Sequence, residues 1–342
     1  LTVNPIDVTV TMTGHTSTVD YDGEEHMIAG YDFVFNTPLY TVNDFTFSGV
    51  DTAKRTDAGT TNMHLATEQF ANTNSNFANV TFNVTDGWQK INPIDVTVKV
   101  KGHTLIANYD GLEHQITGYD LEEISTPLYT ANDFTFSGVD TAKRTDAGTT
   151  NMGLAAEQFE NTNDNFGMVT FNVTDGKVTI NKINAEVTIT GNHHVDVYDT
   201  IEHAVNGYAV ETSTPLYHAL DLALDGTAEA KRTIVGTTYM GLTADMFSNT
   251  NPNFETVAVT VIDGYQIITP AEVTVTVTGK YNTTTYDGAE HSVSGYDVVY
   301  SNNAYTANDY TFNGTATAVR TNAGTTNMGL DVDQFVNTND NF

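Results

Sequence analysis

Tyr21-Asp22-Gly23-Glu24-Glu25-His26, closed by Gly30-Tyr31, returns as Tyr109-Asp110-Gly111-Leu112-Glu113-His114, then as Tyr198-Asp199-Thr200-Ile201-Glu202-His203, then as Tyr286-Asp287-Gly288-Ala289-Glu290-His291. The leading tyrosines stand 88, 89 and 88 residues apart, and self-similarity at one period marks a tandem array. Residues 43–63 and 132–152 are identical, which does not suit copies specialised around one reaction.

Working outward, each copy shows period-two alternation: Ile6, Val8, Val10 and Met12; Phe45 and Phe47; Val80, Phe82 and Val84. Such a pattern puts one face of a strand in a core and the other in water. Asp22-Gly23, Ser48-Gly49, Ala58-Gly59 and Asp86-Gly87 supply turns between them. Six or seven short strands per copy predict an all-β fold, a small β-sandwich repeated four times. The boundaries are residues 1–3, the end of a preceding repeat; 4–91, repeat 1; 92–180, repeat 2; 181–268, repeat 3; and 269–342, repeat 4, incomplete. Phe342 aligns with Phe77, Phe166 and Phe254, each of which leads into a strand that the fourth copy lacks, while Leu1-Thr2-Val3 aligns with Gln266 to Ile268. The stretch therefore reads as cut from a continuing array, 11 residues short of closing a repeat.

No Gly/Ser-rich or Pro-rich linker separates the copies: Trp88 to Ile91 runs through Asn92-Pro93 into the strand from Ile94. Pro5, Pro93 and Pro270 stand at the joins, with Lys182 in the third, and proline suits a strand that changes domain at an edge. Neighbouring repeats are expected to touch and to make a stiff array, each about 35 Å long from about ten residues at roughly 3.3 Å. The one change of length, at Leu121 to Thr126, is expected in an exposed loop.

A balance of 43 acidic against 13 basic residues, formally −30, opposes nucleic acid and anionic headgroups. With no cysteine, disulfides and thiol chemistry contribute nothing. There is no run of 18 apolar residues to insert in a membrane and no basic-apolar leader. Phosphate-cradling glycine loops, zinc pairs and nucleophile elbows are missing too, so the chain is read as non-enzymatic with no cofactor beyond a candidate calcium.

His26, His114, His203 and His291 each follow a glutamate, and a histidine beside carboxylates can ligate metal or act as a base. Adjacent strand residues face opposite ways, which favours a structural motif: a tyrosine at a sandwich corner and a histidine satisfied by a backbone carbonyl. Asn-Thr-Asn-x-Asn-Phe recurs at Asn72, Asn161, Asn249 and Asn337. Its side-chain oxygens nominate Asn74, Asn76 and Asp86, with Asn163, Asn165 and Asp175, as calcium ligands; bonding from side chain to backbone in a turn is the alternative. Lys54, Lys143 and Lys231 raise an isopeptide crosslink, but Val319 stands there in the fourth copy. Arg55, Arg144, Arg232 and Arg320 are expected to pair with acids across the sheet. Asn79, Asn83, Asn172, Asn282 and Asn313 are glycosylation sequons.

The Tyr-Asp-Gly-x-Glu-His cores, the Val-Thr-Val openings and Asp57-Ala-Gly-Thr60 with Asp146-Ala-Gly-Thr149 resemble bacterial YDG/MBG-type repeats. That resemblance implies mostly-β, Ig-like modules arrayed in large cell-surface adhesin or filament proteins, hence an extracellular, non-enzymatic stalk. Thr61, Thr150, Thr238 and Thr326 depart from the tyrosine often found there, and repeat 3 loses the glycine of its first motif and the aspartate of its second.

The expected role is a rod-like structural segment whose partners are the neighbouring repeats. One alternative is multivalent binding of a surface glycan or protein, with Tyr40, Tyr129, Tyr217 and Tyr305 as exposed aromatics. Another is a pilus-like subunit completed by a neighbour's strand, for which Leu1 to Val3 is too short a donor before the strand from Ile6.

Overall fold

Alternating apolar residues build the centre of each repeat in the computed structural model, which describes all residues Leu1–Phe342. Repeat 1 has ten strands: β1 (Ile6–Gly14), β2 (Thr16–Asp20), β3 (His26–Ala29), β4 (Tyr31–Phe35), β5 (Phe45–Phe47), β6 (Thr52–Arg55), β7 (Gly59–Asn62), β8 (Phe70–Asn72), β9 (Phe77–Thr85) and β10 (Trp88–Asn92). Two organise the rest. β1 lies between antiparallel β4 and parallel β9, and β10 lies between parallel β2 and antiparallel β7. β3 pairs with β6 and β5 with β8. The chain is thus the all-β tandem array of Ig-like sandwich repeats that the sequence predicts.

The side chains of Val8, Val10 and Met12 on β1 are buried against Phe70, Phe77 and Phe82, each such burial worth about 1.5–3 kcal/mol. Beyond this core, β1 continues into β2 alongside β9 continuing into β10, so a parallel pair crosses together from one sheet to the other. Gly14 and Gly87 meet at that crossing, where a Cβ on either would strike the other's backbone. Trp88 N–H closes the corner by donating to His15 O over 3.1 Å. Gly102 with Gly176 and Gly191 with Gly264 repeat the contact.

Ten strands exceed the six or seven expected because pieces such as β7, Gly-Thr-Thr-Asn, carry no apolar alternation to mark them. The extra residue of repeat 2 also falls differently: Tyr119–Ile124 is a strand, not a loop. Its register against Ile94–Gly102 passes from Leu121 to Glu123 and leaves Glu122 bulged. Lys101 Nζ lies 2.8 Å from Glu122 Oε1, an exposed pair.

By compactness the chain divides into two units, Leu1–Asn108 with Leu112–Asn181, and Tyr109–Gly111 with Lys182–Phe342. The first holds nearly all of repeats 1 and 2. In the second, repeat 3 again has ten strands and a core on Ala185, Val187 and Ile189. Repeat 4 has six, from Val275–Gly279 to Phe335–Asn337.

Candidate joint between repeats

The asparagine motif builds a ladder of short turns. Asn74 N–H donates to Asn72 Oδ1 over 3.1 Å, and Asn76 N–H to Asn74 Oδ1 over 2.9 Å. Asn74 Nδ2 then donates to Asp44 Oδ1 over 2.6 Å. That bond and those from Thr41 hold the Asp44 carboxyl below the usual carboxylate range. Repeat 2 has the same ladder through Asn161, Asn163 and Asn165, with Asn163 on Asp133.

Asn165, the third rung, reaches into the preceding repeat. Its Oδ1 accepts from Ala58 N–H over 2.6 Å and its Nδ2 donates to Asp57 Oδ1 over 3.0 Å. Beside it the Tyr21 ring meets Phe166 edge-on at 5.6 Å, and Leu128 lies against Gly23. The contact shows in burial: Leu128 is 36% exposed, but Leu39, its equivalent in repeat 1, is 67% exposed. In the second unit Asn341 Oδ1 accepts from Val235 N–H over 2.9 Å, and Tyr198 meets Phe342 edge-on at 5.4 Å. Ile234 stands where repeat 1 has Asp57, so the Nδ2 bond of the first joint has no equivalent carboxylate there.

What aims the Ala58 amide is Arg55, in a role different from the expected cross-sheet ion pair. Its guanidinium donates to Asp57 O over 2.6 Å, to Ala58 O over 2.5 Å and to Thr61 Oγ1 over 3.3 Å, gathering the carbonyls of one turn. Gly59 has φ +132° and lies so close to the guanidinium that a side chain there would displace it. Five donors in a rigid fork suit this task. Arg232 makes the equivalent bonds to Val235 O and Thr238 Oγ1, and Arg320 to Ala323 O and Thr326 Oγ1. The neighbouring lysines are in ion pairs, Lys54 with Glu25, Lys143 with Glu113 and Lys231 with Glu229.

The Tyr-Asp-Gly motif folds back on itself. Gly23, Gly111 and Gly288 take φ near +80°, which returns the chain so that His26 Nε2 lies 2.9 Å from Asp22 Oδ1 and His291 Nε2 lies 2.9 Å from Asp287 Oδ1. The histidine's partner is therefore the motif's own carboxylate, not the backbone carbonyl expected, because the left-handed turn brings residues i and i+4 together. Bonding from Glu24 N–H and from His26 lowers the Asp22 carboxyl below its ordinary range. Tyr109 is grouped with the second unit, where its ring approaches Phe254 at 6.0 Å.

The calcium candidates are engaged with backbone. Asn74 Oδ1 and Asn163 Oδ1 close ladder turns; Asp86 accepts from His64 and Leu65 N–H, and Asp175 from Gly153 and Leu154 N–H. Asn76 is exposed at the ladder's end. No group of three or more His, Asp or Glu is arranged to hold a metal ion. The tyrosines considered as exposed aromatics are core instead. Tyr40, Tyr129, Tyr217 and Tyr305 are at most 3% exposed, their hydroxyls donating to Asp44, Asp133, Asp221 and Asp309 O. Burial pushes the Tyr129 phenol up to about 12. The sequence pattern does not join the third asparagine with Asp57 and Arg55. A signal existed, because Asn72 and Asn74 each close the next turn, but the third asparagine meets a strand and has no turn left to close.

No family model matches this chain, and no curated protein does. Among solved structures it aligns with the crystal structure of the N-terminal eight Ig domains of Down syndrome cell adhesion molecule isoform 1.30.30, at 9% identity and a TM-score of 0.16. That alignment covers 96% of this chain and 52% of the other, so the chain spans about half of that structure's length. At such a score the likeness carries no weight for function. No helix is long and apolar enough to cross a membrane.

Proposed function

We propose that this chain is a non-enzymatic structural segment of a large extracellular surface protein of the YDG/MBG-repeat kind, serving as a stalk or filament that holds an adhesive region away from the cell. The observation that carries this reading is the joint. Asn165 binds the preceding repeat through both polar atoms of its side chain, and the strand from Ile94 begins two residues after β10 ends. A segment whose task is reach needs repeats that resist bending where they meet, and stability then sums over cores and junctions. The acidic surface keeps parallel copies apart in solution.

Small-angle scattering on the chain and on an Asn165→Ala, Asn341→Ala double variant tests this. An elongated particle that becomes measurably more flexible in the variant is expected, with each repeat still folded by circular dichroism. A compact particle, or a variant with an unchanged profile, defeats the reading.

A further inference from the structure

Repeat 3 adds Asp196 and His194, which differ in the other repeats, to the recurrent pair Asp199 and His203. Asp196 occupies the inward position that Val19 and Ala107 hold in repeats 1 and 2. His203 lies between two carboxylates: its Nε2 is 2.9 Å from Asp199 Oδ1 and its Nδ1 is 3.3 Å from Asp196 Oδ2. On the other side His194 Nε2 is 3.3 Å from Asp196 Oδ1. An imidazole with a carboxylate at each nitrogen satisfies both only as the doubly protonated cation, because the neutral ring turns a lone pair toward one of them.

The turn under this network, Tyr198 to Glu202, is strained. Thr200 has φ +74° where the other three repeats place glycine, a conformation costing a non-glycine residue of order 1 kcal/mol or more. The same turn holds Tyr198, whose ring meets Phe342. We propose that Asp199, His203 and Asp196 form a proton-operated clasp on this turn, so that the contact of Tyr198 with Phe342 loosens when His203 loses its proton.

The charges around His203 leave this role to the two aspartates. On the paired strand Glu229–Arg232, Arg232 stands opposite His203 but its guanidinium is bound to its own turn, and Lys231 is paired with Glu229 at 3.0 Å. The central strand Tyr265–Thr269 contributes Gln266, which donates to Asp196 Oδ2 over 2.9 Å, and Tyr265, which stacks on His193. Glu202 lies on the turn itself and acts on Lys231. The bond to Asp199 and the fields of Asp196 and Asp199 raise the His203 pKa above its ordinary value. A group raised on folding stabilises fully below the unfolded value, about 6.5 for histidine, and that contribution is lost as pH climbs through the folded value.

Nuclear magnetic resonance of the 342-residue chain tests the clasp through the ring titration of His203, and through amide exchange at Tyr198 and Ile201 corrected for intrinsic rates. His203 should hold its proton to a higher pH than an ordinary histidine. Exchange at 198–203 should be several-fold faster at pH 8 than at pH 6, with a smaller change at 21–26. Asp196→Val, which installs the residue of repeat 1, should lower the His203 titration and flatten the exchange profile; His203→Gln should flatten it without touching the inward position. A His203 titration unmoved by Asp196→Val, or corrected exchange independent of pH in the unaltered chain, overturns the proposal. These readouts are local to repeat 3, so the result is separate from that of the stalk.

Discussion

Ala58-Gly-Thr-Thr-Asn-Met63 and Ala323-Gly-Thr-Thr-Asn-Met328 are the same six residues, yet Gly59–Asn62 is a strand and residues 323–328 are not. The arginine in front behaves alike in both: Arg55 and Arg320 gather the carbonyls of the turn with nearly the same bonds. What differs is the neighbour. β7 pairs with β10, and the 342 residues stop at Phe342, before an equivalent of β10. Residues 281–285, equivalent to β2, are likewise outside any strand. The turn is thus a local property of Arg and Gly, whereas the strand is conferred by a partner some 30 residues on, as expected where β-propensity is mostly the fit to a neighbouring surface.

The sharpest way to break the comparison is at the glycine corner. Gly14→Ala sets a Cβ against the backbone of Gly87 and is expected to destabilise repeat 1 by about 3 kcal/mol or more, an overpacking cost at the top of its usual range. Gly279→Ala, its equivalent in repeat 4, meets only the ends of Leu330 and Met328 and should cost less than about 1 kcal/mol. Amide exchange resolved by repeat measures both, and equal losses would mean that the crossing is not what fixes the corner.

A second test supplies the partner. Adding a copy of residues 255–269 after Phe342 should convert 281–285 and 324–327 into paired strands, with amide protection at Thr325 and Thr326 rising on the order of a hundredfold, the range separating frayed from core segments. If the added segment folds and those amides stay unprotected, the local sequence governs after all.

The smallest effect concerns β10 itself. Gln89 is buried and its Oε1 has no hydrogen-bond partner, whereas repeat 2 places buried Val178 at the same position. Gln89→Val should raise the stability of repeat 1 by about 1 kcal/mol, because an orphaned buried acceptor is costly. Chemical denaturation would show a higher midpoint, and a lower one would mean that the Gln89 Nε2 bond to Lys90 O outweighs the orphan.

Much of this was legible in the residues themselves. The period and the β1 face of Val8, Val10 and Met12 follow from spacing and alternation, since a half-buried strand leaves a trace of period two. β7 leaves none, being Gly-Thr-Thr-Asn. The partner of Asn165 is about a hundred residues away in sequence, at Ala58 and Asp57, and local patterns cannot encode that distance. The Asp22 partner of His26 is hidden for another reason: a left-handed glycine reverses the chain, and alternation along a strand says nothing about a reversal.

The bulge at Glu122 has a practical consequence. It lies on Tyr119–Ile124, an edge strand, so the extra residue of repeat 2 is accommodated where the glycine corner and the asparagine rung keep their geometry. The equivalent position near Val34 in repeat 1 is therefore the place to graft a foreign peptide, with the rhythm of the array left undisturbed on either side.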